Sequence, residues 1–279
     1  MATRFEFVLH GANPTALRAA AEEALDEVER VENLLSLYRP HTDIARLNAG
    51  AARGPVRVMP ETFRLLQRAV ALSRATNGAF DVTAGALVRA WGFMGGSGGT
   101  ATAEILDAAR RCVGSDLLEL GMGDFTVRFR REGVVVDLGS IGKGYALDRA
   151  AERLREAGVE TALLHGGTST VIALGTPPDA EAWTIALPRG GTVRLRDESL
   201  SVSAGWGKSF RDATGRELGH VLDPRTGQPV PGERFAAVIA PSATDSDALS
   251  TAALLADSAE LERLKQSFPA ARFVGPEAG

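Results

Sequence analysis

The chain has 279 residues, of which 44% are hydrophobic and 24% are charged, as in ordinary soluble globular proteins. Its formal net charge of −4 leaves no basic footprint and argues against nucleic acid as a main partner. The single cysteine, Cys112, excludes an internal disulfide, and no run of about 18 apolar residues is present to span a bilayer.

The N-terminal sequence MATRFEFVLHG has neither a basic-then-apolar leader nor a lipid-attachment cysteine. The sequence as given therefore predicts a cytoplasmic protein. Removal of a native leader from this chain would instead place the protein in the periplasm or at a membrane anchor.

The first predicted elements are a strand and a long helix. Residues 4–10 have a strand composition, and Asn13 followed by Pro14 is typical of a helix N-cap with proline in the first turn. An apolar stripe continues this helix to about Leu35, with acidic residues on the opposite face.

Two further helices and a hairpin are predicted before the middle of the chain. One helix begins near Pro60 and stops at Gly78, and the next covers roughly 102–112. Alternating apolar residues over 125–137, interrupted by Glu132–Gly133, predict a β-hairpin.

The second half mixes helices with short strands. A helix is predicted after Lys143, and another from Asp247. The strands between and after them are predicted within 159–167, 170–175, 182–188, 192–197, 200–205, 219–224, 234–243 and 272–276. Because helices and antiparallel-looking strands do not alternate strictly, we expect an α+β fold: a single compact domain over 1–279 with mixed, largely antiparallel sheets and flanking helices.

The segment VVVDLGSIGKGYALD ends a strand at Asp137 and opens a helix through a Gly-x-x-Gly-Lys-Gly loop, 139–144. Such a loop exposes backbone N–H groups at a helix N-terminus, which suits a phosphate. Gly144 stands where a P-loop needs serine or threonine, and the Rossmann glycine pattern is absent. A phosphate site and a glycine-lined turn with a solvated lysine both remain open.

The segment GHVLDPRTGQP predicts a turn that begins at Asp223 and ends at Gly227. His220 precedes this turn by three residues, with an acid close by in sequence. A structural histidine and a catalytic one are both consistent with this pattern.

In SDALSTAALL, Asp247 and Thr251 are four residues apart and share one helix face. Asp247 as an N-cap, with Thr251 bonding back to the preceding turn, is one interpretation. The other is a hard-cation site, because Mg²⁺ commonly takes one or two protein oxygens and completes its shell with waters and a ligand phosphate.

In this order, the three motifs resemble those of the ApbE family, the FAD:protein FMN transferases. Three earlier segments resemble family segments too: MATRF, LLSLYRPHTDIARLN and GAFDVTAGALVRAWGF. The resemblance covers nearly the whole chain and implies an ApbE-like, T-fold-related α+β domain. It departs at LLHGGTSTV, which has His165 and Thr168 where family members often carry Asn and Gly-Gly-Asp, and we expect His165 to be a packed residue.

The resemblance implies an enzyme that binds FAD and Mg²⁺, joins FMN through a phosphoester to a threonine or serine of an acceptor flavoprotein, and releases AMP. An FAD pyrophosphatase and a non-catalytic FAD-binding or delivery protein are the alternatives. Oligomeric state is not indicated by the sequence.

The resemblance also implies roles for individual residues. Asp247 and Thr251 would bind the metal through their side chains and Ser140 through its carbonyl, and His220 would take the proton of the acceptor hydroxyl. The remaining implied residues contact FAD, with Tyr38 stacking on the flavin ring: Met1, Tyr38, Ala79, Phe80, Asp81, Asp137, Lys143 and Val221.

Overall fold

The computed structural model of the chain describes residues 3–96, 98–207, 209–211, 217–232 and 234–274. The helices within these ranges are α1 (Pro14–Leu35), α2 (Asp43–Gly50), α3 (Pro60–Ala75), α4 (Gly85–Ala90), α5 (Ala103–Arg110), α6 (Gly142–Glu156), α7 (Ala243–Leu255) and α8 (Ser258–Ser267). The strands are β1 (Phe5–His10), β2 (Val56–Arg57), β3 (Leu118–Gly121), β4 (Thr126–Phe129), β5 (Thr161–Gly166), β6 (Thr170–Leu174), β7 (Trp183–Ala186), β8 (Thr192–Leu195), β9 (Glu198–Ala204), β10 (Ser209–Arg211), β11 (Glu217–Leu222), β12 (Pro229–Pro231), β13 (Phe235–Ala240) and β14 (Arg272–Val274).

A six-stranded sheet in the order β1-β5-β6-β9-β13-β14 forms the centre of the fold. Every neighbouring pair in this sheet is antiparallel. Three smaller antiparallel sheets, β10-β11-β12, β2-β4-β3 and β7-β8, flank it. The α+β prediction with largely antiparallel sheets is therefore confirmed, whereas the prediction of a single domain over the whole chain stays a prediction.

Both faces of the central sheet are covered. On β6, Ile172 and Leu174 join the main core beneath the helices, and the alternate residues Val171 and Ala173 join a second core under the β7-β8 hairpin. Every residue of β6 and β13 is buried, as expected for strands packed on two sides. Among the described residues, no helix is long and apolar enough to cross a membrane.

Helices α6 and α7 pack on one face of the sheet and touch each other at their N-terminal ends. A Cβ added at Gly144 would lie 2.0 Å from the carbonyl oxygen of Ala243, so only glycine permits this approach. Asp148 accepts hydrogen bonds from the N–H groups of Ala243 and Thr244, each at 2.8 Å. A side chain of α6 thus satisfies free backbone donors of α7, which fixes the two helices together.

Local signals correctly located α1 and α3, whereas the short helices α2 and α4 were not predicted. Asn13 caps α1 by accepting a 3.1 Å bond from the N–H of Ala16, and α3 begins at Pro60 as predicted. Gly78 follows α3 with a φ of +75°, the left-handed conformation that suits glycine after a helix end.

The predicted hairpin over 125–137 is wrong. β4 pairs with β2 and β3, and Val135 makes only an isolated bridge with Ala84. The side chain of Asn48 bonds both the N–H and the C=O of Val136, at 2.8 and 2.9 Å, where a strand partner was expected. The local pattern suggested a hairpin arm because the true partners of this apolar run lie far away in sequence and leave no local signal.

Candidate functional site

Asp247 lies on α7 opposite the first turn of α6, with 4% of its surface exposed. The ammonium of Lys143 lies 3.1 and 3.3 Å from the two carboxylate oxygens, and the N–H of Gly144 donates to Oδ2 at 3.1 Å. A helix N-terminus and a lysine therefore hold this carboxylate in place.

The position of Asp247 rules out its interpretation as an N-cap. Helix α7 begins four residues earlier than predicted, and its cap is Ser242, which accepts from the N–H of Asp245. Thr251 lies one turn after Asp247, partly exposed, with Oγ1 3.5 Å from the carbonyl of Asp247. Ser203 on β9 lies 3.2 Å from the Thr251 hydroxyl. Asp247 and Thr251 thus share one helix face.

The glycine loop at the start of α6 faces Asp247. The Lys143 ammonium also donates to the carbonyl of Gly139 at 3.3 Å, and the N–H of Gly139 donates to Asp137 at 2.8 Å. Burial raises the pKa of the Asp137 carboxyl, and the Gly139 N–H acts in the opposite direction. Ser140 belongs to the same loop, and metal binding by its carbonyl stays a prediction.

The donor set of this site suits a hard cation. Among the described residues, no group of three or more His, Cys, Asp or Glu side chains is arranged to hold a metal ion. The Lys143 ammonium already lies between both oxygens of Asp247 and the carbonyl of Gly139, so oxygens from two segments converge on one positive group. Oxygen donors with a single carboxylate fit Mg²⁺ that shares a ligand phosphate.

Tyr38 follows α1 and is 67% exposed. Partial burial raises the pKa of the Tyr38 phenol, the nearby Asp137 charge raises it further, and a hydrogen bond from the Gly95 backbone acts in the opposite direction. The phenol therefore lies near Asp137 and Gly95, and about two thirds of the residue surface is exposed. Its stacking role stays a prediction.

The segment from Ala79 to Asp81 is largely inside the protein. The side chains of Ala79 and Phe80 are buried in the main core. Asp81 accepts from the hydroxyls of Ser73 and Thr83, at 2.8 and 2.5 Å. A cavity of about 550 Å³ is lined in part by Asp81. Contacts of this segment with a flavin stay a prediction, and from the two apolar residues they would be made by the backbone.

His220 and Val221 lie on β11, in a small sheet beside the central one. His220 is exposed, whereas Val221 is partly buried against the main core. A Cβ added at Gly219 would lie 2.2 Å from the carbonyl oxygen of Gly205, so these two backbones touch. Gly205 lies two residues after Ser203, whose hydroxyl bonds that of Thr251. The contact between Gly219 and Gly205 therefore brings β11 towards the part of α7 that contains Thr251.

The predicted turn after β11 is confirmed, and the carboxylate of its first residue, Asp223, already has hydrogen-bond partners. Gly227 has a φ of +74°, and its N–H donates to the carbonyl of Asp223 at 2.7 Å. The Asp223 carboxylate accepts from the backbone and guanidinium of Arg225 at 2.9 to 3.0 Å. Asp223 therefore stabilises its own turn.

Met1 lies outside the described residues. His165 is partly buried on β5 opposite Glu6, and this burial lowers its pKa while Glu6 acts in the opposite direction. Thr170, which the sequence pattern did not single out, is fully buried with its hydroxyl 3.5 Å from Asp247 Oδ1. A polar residue at the start of the apolar run TVIAL was the available signal.

The model of the ApbE family matches residues 1–273 of the chain. The chain belongs to the ApbE family. Among its relatives, an FAD:protein FMN transferase of Klebsiella pneumoniae is 31% identical over 246 residues, 84% of this chain and 74% of that protein. One from Treponema pallidum is 30% identical over 284 residues, 94% of this chain and 78% of that protein.

Solved structures of ApbE proteins have the same fold. The ApbE protein of Thermotoga maritima aligns with a TM-score of 0.87 and 28% identity, covering 98% of this chain and 90% of that one. The flavinyl transferase ApbE of Pseudomonas stutzeri, in its apo form, aligns with a TM-score of 0.81 and 29% identity, covering 99% and 92%. The expected ApbE-like fold is thereby confirmed.

Proposed function

We propose that this ApbE-family protein transfers the FMN moiety of FAD to a threonine or serine hydroxyl of an acceptor flavoprotein and releases AMP. The observation that carries the proposal is the Lys143–Asp247 pair at the N-terminus of α6, next to a glycine loop suited to phosphate. The names of the Klebsiella and Treponema relatives support the same activity.

The diphosphate of FAD is bound by the loop before α6. Backbone N–H groups at a helix N-terminus attract an anion, and Lys143 is the mobile cation beside them. Its ammonium turns from Asp247 to a phosphate oxygen when FAD binds. This movement leaves the Asp247 carboxylate open to a different cation.

Asp247, Thr251 and the Ser140 carbonyl would hold Mg²⁺ at that position. When bound, Mg²⁺ neutralises diphosphate oxygens and stabilises the negative charge that moves onto AMP. The protein residues fix the carboxylate, since Gly144 donates to Oδ2 from the rigid end of α6.

Tyr38 positions the flavin ring and His220 prepares the nucleophile. The exposed Tyr38 ring stacks on the isoalloxazine. His220, exposed on β11, is accessible to a hydroxyl of another protein and takes its proton, because a threonine hydroxyl is a weak nucleophile at neutral pH. The acceptor oxygen bonds to the FMN phosphorus as the bond from that phosphorus to the AMP oxygen breaks.

The experiment is incubation of the purified chain with FAD, MgCl₂ and a threonine-bearing acceptor domain. A flavin that stays on the acceptor through denaturing electrophoresis, with one AMP released per flavin attached, is the expected result. FMN and AMP without an adduct would identify an FAD pyrophosphatase, and FAD binding without AMP release would identify a delivery protein. Either of these results across several acceptor domains overturns the proposed transfer.

A further inference from the structure

A buried line of hydroxyl groups separates α7 from the central sheet. On β9, alternate residues Ser199, Ser201 and Ser203 face α7, while Leu200 and Val202 face the second core. The first two of these serines have no exposed surface. A serine–apolar alternation normally indicates a strand with one solvated face, yet here the polar face is covered by a helix.

This line of hydroxyls reaches Asp247 through Thr170 on β6. Ser201 Oγ lies 3.0 Å from Ser246 Oγ and donates to Thr170 Oγ1 at 3.3 Å, and Thr170 donates to Asp247 Oδ1 at 3.5 Å. A carboxylate can only accept, so the Thr170 proton is directed to Asp247. Each hydroxyl has one proton, and the donation from Ser201 leaves the Thr170 proton available for that bond.

Packing alone does not require a hydroxyl at this position. The other four residues of β6 are Val171, Ile172, Ala173 and Leu174, all buried, and valine has almost the shape of threonine. A fully buried hydroxyl lowers stability unless it is hydrogen-bonded, and its available partners here are Ser201 and Asp247. The bond to the carboxylate is therefore the feature that distinguishes threonine from valine.

The two Asp247 oxygens are held from different elements. Oδ2 accepts from the Gly144 N–H of α6, and Oδ1 accepts from the Thr170 hydroxyl of β6. Lys143 contacts both oxygens. Two fixed donors define the plane of the carboxylate, whereas the lysine occupies the side that a cation would take.

We propose that Thr170 is a positioning residue that orients the Asp247 carboxylate for its cation, with Ser201 orienting the Thr170 proton. The inference rests on the proposed Mg²⁺ site. Hydrogen bonds to the groups that bind a metal typically change metal affinity or activity by about 10- to 100-fold. Because the Thr170 bond is long, we expect an effect at the lower end of that range.

The test compares Thr170→Val with Thr170→Ser and with a matched control, Thr62→Val. Thr62 is fully buried, and its hydroxyl donates to the carboxylate of Asp43 at 2.7 Å, so the control removes an equivalent bond elsewhere. Binding of Mn²⁺, used as a spectroscopic substitute, is followed by electron paramagnetic resonance in the presence of FAD. The KM for Mg²⁺ and kcat are measured in parallel.

We expect Thr170→Val to weaken Mn²⁺ binding and raise the KM for Mg²⁺ by about tenfold, with a smaller change in kcat. Thr170→Ser should restore both to near wild type, and Thr62→Val should leave both unchanged. Unchanged Mn²⁺ binding in Thr170→Val, or equal losses in Thr62→Val, would overturn the inference.

A second variant keeps the inference testable if Thr170→Val does not fold. Ser201→Ala leaves the Thr170 hydroxyl in place but removes the Ser201 hydroxyl that donates to it. We expect roughly two- to five-fold weaker Mn²⁺ binding. Wild-type affinity in Ser201→Ala would then refute the role of the hydroxyl line. If wild-type protein binds no Mn²⁺ with FAD, the proposed function fails; if it binds normally and the variants do too, only this inference fails.

Discussion

Replacement of Lys143 by methionine removes the ammonium that neutralises Asp247 and keeps a side chain of similar length. In the ligand-free protein, Asp247 would then rely on the N–H of Gly144 and the hydroxyl of Thr170. The variant should therefore be less stable without ligands, bind FAD more weakly, and bind Mg²⁺ more tightly in the absence of FAD.

The magnitude follows from the exposure of the pair. The Asp247 side chain is 6% exposed and the Lys143 side chain 22% exposed. A hydrogen bond to a charged group contributes about 1.5–3 kcal/mol, and the partial exposure of the lysine lowers this to about 1–2 kcal/mol through solvent screening. Since about 1.4 kcal/mol corresponds to a tenfold change, Mg²⁺ affinity without FAD should rise by roughly five- to thirty-fold.

The assay combines isothermal titration of MgCl₂ into the FAD-free protein with thermal unfolding. The loss of about 1–2 kcal/mol should lower the Tm by roughly 2–6 °C, and MgCl₂ should restore more of this loss in the variant than in wild type. The control is Lys265→Met, because Lys265 pairs with Glu262 on the exposed surface of α8 and should affect none of these measurements. Weaker Mg²⁺ binding in Lys143→Met would refute the idea that the ammonium occupies the cation position.

Three other predictions concern the same region. Asp247→Asn keeps the size of the side chain but removes its charge, so the transfer rate should fall by at least about 1000-fold. Mg²⁺-dependent FAD binding, measured by flavin fluorescence, should be lost. Activity within tenfold of wild type would contradict the proposed metal site. Gly144→Ala places a methyl group against the α7 backbone and should lower stability by more than about 3 kcal/mol in urea titration, whereas Gly54→Ala, which meets nothing within 4 Å, should change it by less than about 1 kcal/mol. Burial raises the folded-state pKa of Asp137, so the contribution of its protonated carboxyl to stability is lost as pH rises. Asp137→Asn should therefore raise the Tm at pH 7 but not at pH 3. Equal Tm shifts at both pH values would exclude the Asp137 titration as their cause.

The elements that the sequence predicted well depend on local chemistry. The N-cap at Asn13 involves residues three positions apart, and the helix after Pro60 begins where proline fits the first turn. The β11 turn is similar, because Asp223 and Gly227 determine it without distant partners. Spacing of four residues also placed Asp247 and Thr251 correctly on one face.

The features that the sequence did not predict depend on distant contacts or on overlooked caps. β4 pairs with β3, whereas the segment predicted to pair with β4 is bonded at Val136 by the side chain of Asn48, 88 residues away. The bond from Thr170 to Asp247 spans 77 residues, so no local pattern contains it. By contrast, α8 was missed although Asp257 and Glu260 form a capping box that the sequence displays.

The contact of Asp148 with the first residues of α7 predicts how the site responds when substrate arrives. The Asp148 carboxylate of α6 accepts hydrogen bonds from the free N–H groups at the start of α7. The two helices that form the site are therefore joined before any ligand binds. We therefore expect substrate to enter by side-chain movement, which takes picoseconds to nanoseconds at exposed positions, without reorganisation of the backbone. FAD association should accordingly occur in a single exponential phase without a slow step, and the amide hydrogens of Ala243 and Thr244 should exchange only when the helices separate.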